Sequence, residues 1–183
     1  PSQVLFRNSA GGTFGRLTDA SAGDALTQAG GGTACSWADF DSDGDLDIAV
    51  AEFGGADRGS IFWLENAGAG RYERHTLLQL SGALNVSPAD INADGKLDLV
   101  SLVAQEHEMI VAFLGSGDGG FEQRILSRAP QPMFGSTSMN VVDLDRDGDA
   151  DILFTNGDAF DLQTDPKPYH GVQWLENDGK GVF

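Results

Sequence analysis

Apolar and polar residues along this chain come in short runs and not in the 3.6-residue rhythm of helices. Thr33 to Phe40 is an apolar-leaning run, Leu46 to Phe53 (LDIAVAEF) a second, Ile61 to Glu65 a third, and Tyr72 to Leu78 (YERHTLL) an alternating fourth. Leu97 to Val103 and Ala150 to Phe154 match the second run, and Phe121 to Leu126 matches the fourth. Runs of this length bounded by Gly, Asn and Asp read as strands, with an Asn-x-Gly-x-Gly turn after the third. Only Ser21 to Gln28 has a pattern that suits a helical turn or two.

The runs repeat. Trp63-Leu64-Glu65-Asn66 precedes AGAGRY, and Trp174-Leu175-Glu176-Asn177 precedes DGKGVF. Phe113-Leu114-Gly115-Ser116 before GDGGF and Leu5-Phe6-Arg7-Asn8 before SAGGTF keep the same phase. Aspartate-rich windows keep step with them, beginning at Asp39, Asp90 and Asp143, so the period is 51 and then 53 residues. A period near fifty with four short strands per repeat predicts blades of a β-propeller. The expectation is an all-β chain, a single unit over 1–183. Residues 1–28 would hold the last strands of one blade, and 29–80, 81–130 and 131–183 one blade each. About three and a half four-stranded antiparallel blades fall short of closure, so the segment is expected to belong to a larger, seven-bladed propeller or assembly.

Composition narrows the class. The chain has 183 residues, with 28 Asp plus Glu against 11 Lys plus Arg, a formal charge of −17. A surface this acidic repels phosphate backbones, which argues against nucleic acid as a partner. Hydrophobic residues at 40 % and eleven Phe argue against disorder. No apolar run approaches 18 residues, so no membrane-spanning helix is expected. The opening PSQVLFRNSAGG has neither a basic start nor a long apolar stretch, so no signal peptide is expected within it. One cysteine, Cys35, leaves no intrachain disulfide and no thiolate zinc cage. Cys35 and Trp37 lie on a strand that leads into an aspartate window, and both are expected to be buried. Trp63, Trp174 and Phe113 are expected to share one repeat position and to pack between blades.

The acid is concentrated. Of 21 Asp, 13 lie in the windows Asp39 to Asp47 (DFDSDGDLD), Asp90 to Asp98 (DINADGKLD) and Asp143 to Asp151 (DLDRDGDAD). Each reads D-x-[DN]-x-D-G-x-x-D. Side chains at positions 1, 3 and 5 converge, Gly at position 6 permits the sharp turn, and the carbonyl of position 7 with the carboxylate of position 9 complete an oxygen cage. Calcium takes six to eight oxygens at roughly 2.3–2.6 Å. Two carboxylates ~5 Å apart repel by about 3 kcal/mol at an effective dielectric of ~20, so such a loop calls for a cation. An EF-hand would need an acid at position 12 and flanking helices. Position 12 is Val50, Ser101 and Phe154, and strands flank the loops, which excludes it.

The nine-residue loop between strands resembles the FG-GAP/VCBS repeats of integrin α-chain propellers, over essentially the whole chain. The resemblance implies up to three Ca²⁺ ions. The first would be held by Asp39, Asp41, Asp43 and Asp47 with the Asp45 carbonyl. The second would be held by Asp90, Asn92, Asp94 and Asp98 with the Lys96 carbonyl. The third would be held by Asp143, Asp145, Asp147 and Asp151 with the Asp149 carbonyl. Neutral Asn92 and cationic Lys96 make the second loop the weakest binder.

Other chemistry is sparse. On the face opposite these loops, Thr155 to Gly171 is the longest connection and carries Asp158, Asp161, Asp165, Tyr169 and His170. It is a candidate ligand or sugar surface, with a solvated insertion as the alternative. His75, His107 and His170 form no motif, though His107 lies between Glu106 and Glu108. No G-x-S-x-G, H-E-x-x-H, Walker or Rossmann signature occurs. The expected function is a calcium-stabilised extracellular, cell-surface or periplasmic binding, adhesion or scaffold module without catalysis, with a protein or carbohydrate partner. The alternative is the propeller part of a carbohydrate-active lyase or dehydratase.

Overall fold

Each complete sheet is a run of four sequential antiparallel strands, as period-two alternation joined by tight Gly turns dictates. The computed structural model describes residues 6–9, 12–16, 32–55, 58–157 and 170–183. Ser21 to Gln28 lies outside them. In chain order the strands are β1 (Phe6–Ser9), β2 (Thr13–Arg16), β3 (Gly32–Ala38), β4 (Asp47–Glu52), β5 (Ser60–Asn66), β6 (Tyr72–Gln79), β7 (Ala83–Ala89), β8 (Asp98–Val103), β9 (Met109–Gly115), β10 (Phe121–Arg128), β11 (Ser138–Val142), β12 (Asp151–Asn156) and β13 (Gly171–Leu175). The first sheet is β3-β4-β5-β6, the second β7-β8-β9-β10 and the third β11-β12-β13, while β1 and β2 form a hairpin. Among the described residues the only helical element is a single 3₁₀ turn at Pro132–Phe134. These are sheets of the propeller-blade type.

Central strands β4 and β8 are buried along their whole length, which is why their sequences read as near-continuous apolar runs. The two faces of each sheet serve different neighbours. Ala49, Ala51, Ile61 and Trp63 of the first sheet meet Leu99, Val103, Val111 and Phe113 of the second in one cluster. The opposite face of the second sheet, with Val100, Leu102, Ile110 and Ala112, meets Met139, Ile152 and Phe154 of the third. Each Val, Leu, Ile, Met or Phe side chain among these, taken fully out of water, contributes about 1.5–3 kcal/mol, so the sheets are held to one another mainly by their centres.

The innermost strands add polar ties. Thr33 Oγ1 donates to the Ala83 carbonyl at 2.8 Å and Ser36 Oγ to the Val86 carbonyl at 2.5 Å, joining β3 to β7. Asn85 Nδ2 donates to the Met139 carbonyl at 3.0 Å and repeats the device between β7 and β11.

The register corrects two expectations. Trp37 and Cys35 are exposed, Trp37 by 51 %. They pair with Ile48 and Val50, on the side of edge strand β3 turned away from the second sheet, so no described sheet covers them. Phe113 does not share the position of Trp63 and Trp174. Asn66 pairs with Tyr72 and Gly115 with Phe121, so Trp63 is matched by Ala112, and Phe113 by Leu64. A slip of one residue turns a side chain to the opposite face. Trp63 and Phe113 therefore face each other across the gap between sheets one and two. Trp174 corresponds to Trp63 but is 44 % exposed, with no described sheet against it.

Candidate metal-binding loops

The three aspartate windows connect β3 to β4, β7 to β8 and β11 to β12, all at one end of their sheets. The first loop is built by its own carboxylates. Asp39 accepts from the Asp43 N–H at 3.1 Å and the Gly44 N–H at 3.0 Å, Asp41 from Asp43 N–H at 3.2 Å, and Asp43 from Asp45 N–H at 2.8 Å. The second loop repeats this bond for bond. Asp90 accepts from Asp94 and Gly95 at 3.1 and 2.8 Å, Asn92 from Asp94 at 3.1 Å, and Asp94 from Lys96 at 2.9 Å. In the third, Asp145 accepts from Asp147 and Asp147 from Asp149, both at 3.2 Å.

Backbone conformation explains the spacing. Gly44, Gly95 and Gly148 at position 6 have φ of 95°, 83° and 102°, where a side chain strains the backbone even though space is open around all three. Position 4 is also left-handed, at Ser42, Ala93 and Arg146 with φ of 63°, 57° and 69°. The sequence gives no sign of this second turn, because none of those three residues is Gly or Asn.

Positions 1, 3 and 5 converge as the spacing predicts. Carboxylate oxygens of Asp39, Asp41 and Asp43 lie within 4.8 Å of one another, and so do those of Asp143, Asp145 and Asp147. Position 9 has a second job. Asp47, Asp98 and Asp151 are at most 1 % exposed. Asp98 accepts from the Ile91 N–H at 2.9 Å and the Gly115 N–H at 2.8 Å. Asp47 does the same with Phe40 and Asn66, and Asp151 with Leu144 and Asn177. This carboxylate therefore pins loop position 2 to the end of the third strand. Each oxygen keeps a further lone pair for a cation.

Electrostatics shows strain without a counter-ion. Burial raises the Asp47 and Asp98 carboxyls above the ordinary range, against the pull of their backbone donors. Desolvation, with the charges of Asp43, Glu65 and Asp39, raises Asp41. Asp145 is raised by desolvation and by Asp147 and Asp151. Asp149 is pushed up to about 6, by desolvation first and then by its hydrogen bond to Asp147 and the charges of Asp147, Asp151 and Asp145. Its Oδ1 is buried without a hydrogen-bond partner. An all-oxygen donor set with carboxyls pushed up and an orphaned oxygen fits a hard divalent cation.

The turn of each following sheet lies over the preceding loop. Gly119, between β9 and β10, has φ of 81°, and a side-chain carbon there would lie 3.1 Å from the Trp63 ring and 3.5 Å from Asp41 Cβ. Phe121 beyond it packs edge-on to Phe40 and Trp63, with centroids at 6.2 and 6.1 Å. Gly181 likewise abuts Asn92 and Ile91, and Phe183 packs into the cluster that holds Ile91. Position 2 registers the difference. Phe40 and Ile91 are 2 % and 1 % exposed, whereas Leu144, with no described turn above it, is 43 % exposed. The sequence shows the Gly-rich turns but not that they serve the loop one repeat earlier.

Of the candidate ligand surface, Asp158, Asp161, Asp165 and Tyr169 lie outside the described residues. His170 is exposed and rests against Gly157.

The family model described as FG-GAP-like repeat matches residues 2–50 and again 39–101, more than half of the chain. The two matches overlap on the first loop, and the second runs through the loop at Asp90–Asp98. The third loop lies beyond both. No curated protein matches the chain.

Proposed function

Because the chain belongs to the FG-GAP-like repeat family, we propose that it is a calcium-stabilised binding or scaffold module, without catalysis of its own, in an exported protein. The observation that carries the reading is the convergence of carboxylates at positions 1, 3 and 5 of the first and third loops within 4.8 Å. The all-oxygen sets select calcium over softer metals. Asp39, Asp41, Asp43 and Asp47 with the Asp45 carbonyl hold one ion. Asp90, Asn92, Asp94 and Asp98 with the Lys96 carbonyl hold a second. Asp143, Asp145, Asp147 and Asp151 with the Asp149 carbonyl hold the third. Bound calcium supplies charge neutralisation to loops whose carboxylates otherwise repel one another.

Loops of this kind that bind at ~10⁻⁴–10⁻³ M work where calcium is millimolar, outside cells or in a periplasm. Blades at 29–80, 81–130 and 131–183 form part of a larger propeller, which offers a protein or glycan partner the face opposite the loops. The test is calorimetric titration of calcium into the EDTA-stripped chain. About three sites with a rise in melting temperature support the reading, and no heat with no stabilisation overturns it.

A further inference from the structure

On the outer two strands of the first sheet, three potential ligands from β5 and β6 meet beside the first loop. Register pairs Trp63 with His75 and Glu65 with Glu73, which puts all four side chains on the face toward the second sheet. One ligand atom each of Glu65, Glu73 and His75 lies within 4.8 Å of the other two. The geometry points to a transition-metal site here, of the zinc class, separate from the calcium loops.

Charge argues for a cation. Two glutamates directly opposite on neighbouring strands destabilise a sheet. Among the described residues no Lys or Arg forms an ion pair with either, and Glu65 meets only His75 Nε2, at 2.7 Å. Two carboxylates and a divalent ion sum to neutrality around a neutral imidazole.

Order argues for a metal in particular. Trp63, 1 % exposed, stacks on the His75 ring with centroids 4.7 Å apart and planes at 22°. Phe40 and Phe121 hold the indole edge-on, so the imidazole rests on a fixed support. Zinc bonds near 2.0–2.2 Å place tetrahedral ligands roughly 3.4 Å apart, so the 2.7 Å pair opens by about 0.7 Å and no separation up to 4.8 Å closes by more than about 1.4 Å. Glu65, His75 and Glu73 are half-buried or exposed, which leaves a position for water or a partner's ligand.

The repeat supplies a comparison. The four matching register positions of the second sheet hold Ala112, Leu114, Glu122 and Arg124. The scaffold therefore folds there with one acid, one base and no imidazole, and the Glu65-Glu73-His75 set is an addition to it. The donor set, one nitrogen and carboxylate oxygens, suits zinc, cobalt or nickel and falls short of the six to eight oxygens calcium takes.

The test is a zinc titration of the full chain in excess calcium, repeated with Co²⁺ while following its visible absorption and Trp63 emission in a Trp37→Phe, Trp174→Phe background. One zinc per chain is expected, with Co²⁺ quenching the emission. His75→Arg installs the residue the second sheet carries and should fold normally while weakening zinc at least a hundredfold. Glu73→Gln should weaken it about tenfold, and Glu106→Gln, at an exposed position of the second sheet's β8–β9 connection, should leave it unchanged. Zinc binding that survives His75→Arg, disappears in excess calcium, or is absent from the start overturns the inference. Since it is read with calcium already in excess, its outcome is separable from that of the calcium titration.

Discussion

The side-chain amide of Asn177 donates to the Ile91 carbonyl at 2.8 Å, across 86 residues of sequence. The same amide reaches the Ala150 carbonyl at 3.0 Å, and Oδ1 accepts from the Gly179 and Gly181 N–H groups at 3.2 and 3.1 Å. One buried side chain thus shapes its own turn and fastens it to the loop of the previous sheet. Asn177→Ala leaves these carbonyls and N–H groups without their partner and should cost about 2–3 kcal/mol in urea unfolding. Asn66→Ala should cost less than about 1 kcal/mol, because that side chain makes two long bonds, both at 3.3 Å, donating to the Leu46 carbonyl and accepting from the Gly68 N–H, and neither reaches the loop of another sheet.

Position 9 and position 5 should separate in mutagenesis. Asp98→Asn replaces one acceptor by a donor and leaves a buried N–H unpaired, so stability in EDTA should fall by about 2 kcal/mol. Asp94→Asn touches an exposed carboxylate and should leave the EDTA melt almost unmoved while weakening calcium at that loop. Equal losses of stability in EDTA would deny position 9 its role as a latch.

The left-handed residue at position 4 offers a gain. Ala93 has φ of 57° and is exposed, so Ala93→Gly should stabilise the protein by roughly 0.5–1 kcal/mol despite glycine's entropy cost. Gly95→Ala should lose about 1 kcal/mol through conformation alone, since nothing lies within 4 Å of the added carbon. Chemical denaturation of both variants checks the pair.

Calcium removal should be felt globally. At ~2 mM calcium and a Kd of ~10⁻⁴ M a site adds roughly 1.8 kcal/mol, so three add at most about 5 kcal/mol, the second loop contributing least. In a domain of this size that corresponds to a melting shift on the order of 10–20 °C, readable by differential scanning calorimetry with and without EDTA.

Acidity should act with opposite sign in the two forms. Asp149 near 6, and the raised Asp47 and Asp98, bind their protons more tightly folded than unfolded. The metal-free fold is therefore penalised most above about pH 6 and relieved as pH falls toward about 4, where the unfolded carboxyls also protonate. In EDTA the melting temperature should rise between pH 7 and pH 5. With calcium bound, protons compete with the ion and the trend should reverse.

Strands, repeat and loop chemistry are legible because period-two alternation and D-x-D-x-D-G spacing act locally. Face assignment is less so. Phe113 looks like the partner of Trp63 by similarity of FLGS to WLEN, but the strand pairing places it at Leu64's position. An aromatic and a following Leu at the end of a β-strand do not encode phase by themselves. Trp37 and Cys35 read as buried from their apolar run, yet their exposure depends on which sheet stands beside β3, a relation no local pattern contains. His75 gave no motif because its companions come from cross-strand pairing and not from sequence spacing.

The overlap of each turn with the loop before it also orders events in time. A loop is closed over only when the following repeat has been made and has docked. During synthesis from the N-terminus, the cage at Asp39–Asp47 would wait for Gly119 and Phe121, and the one at Asp90–Asp98 for Asn177 and Gly181. The growing chain would thus always carry one unfinished cage at its leading end, maturing it as the next blade arrives.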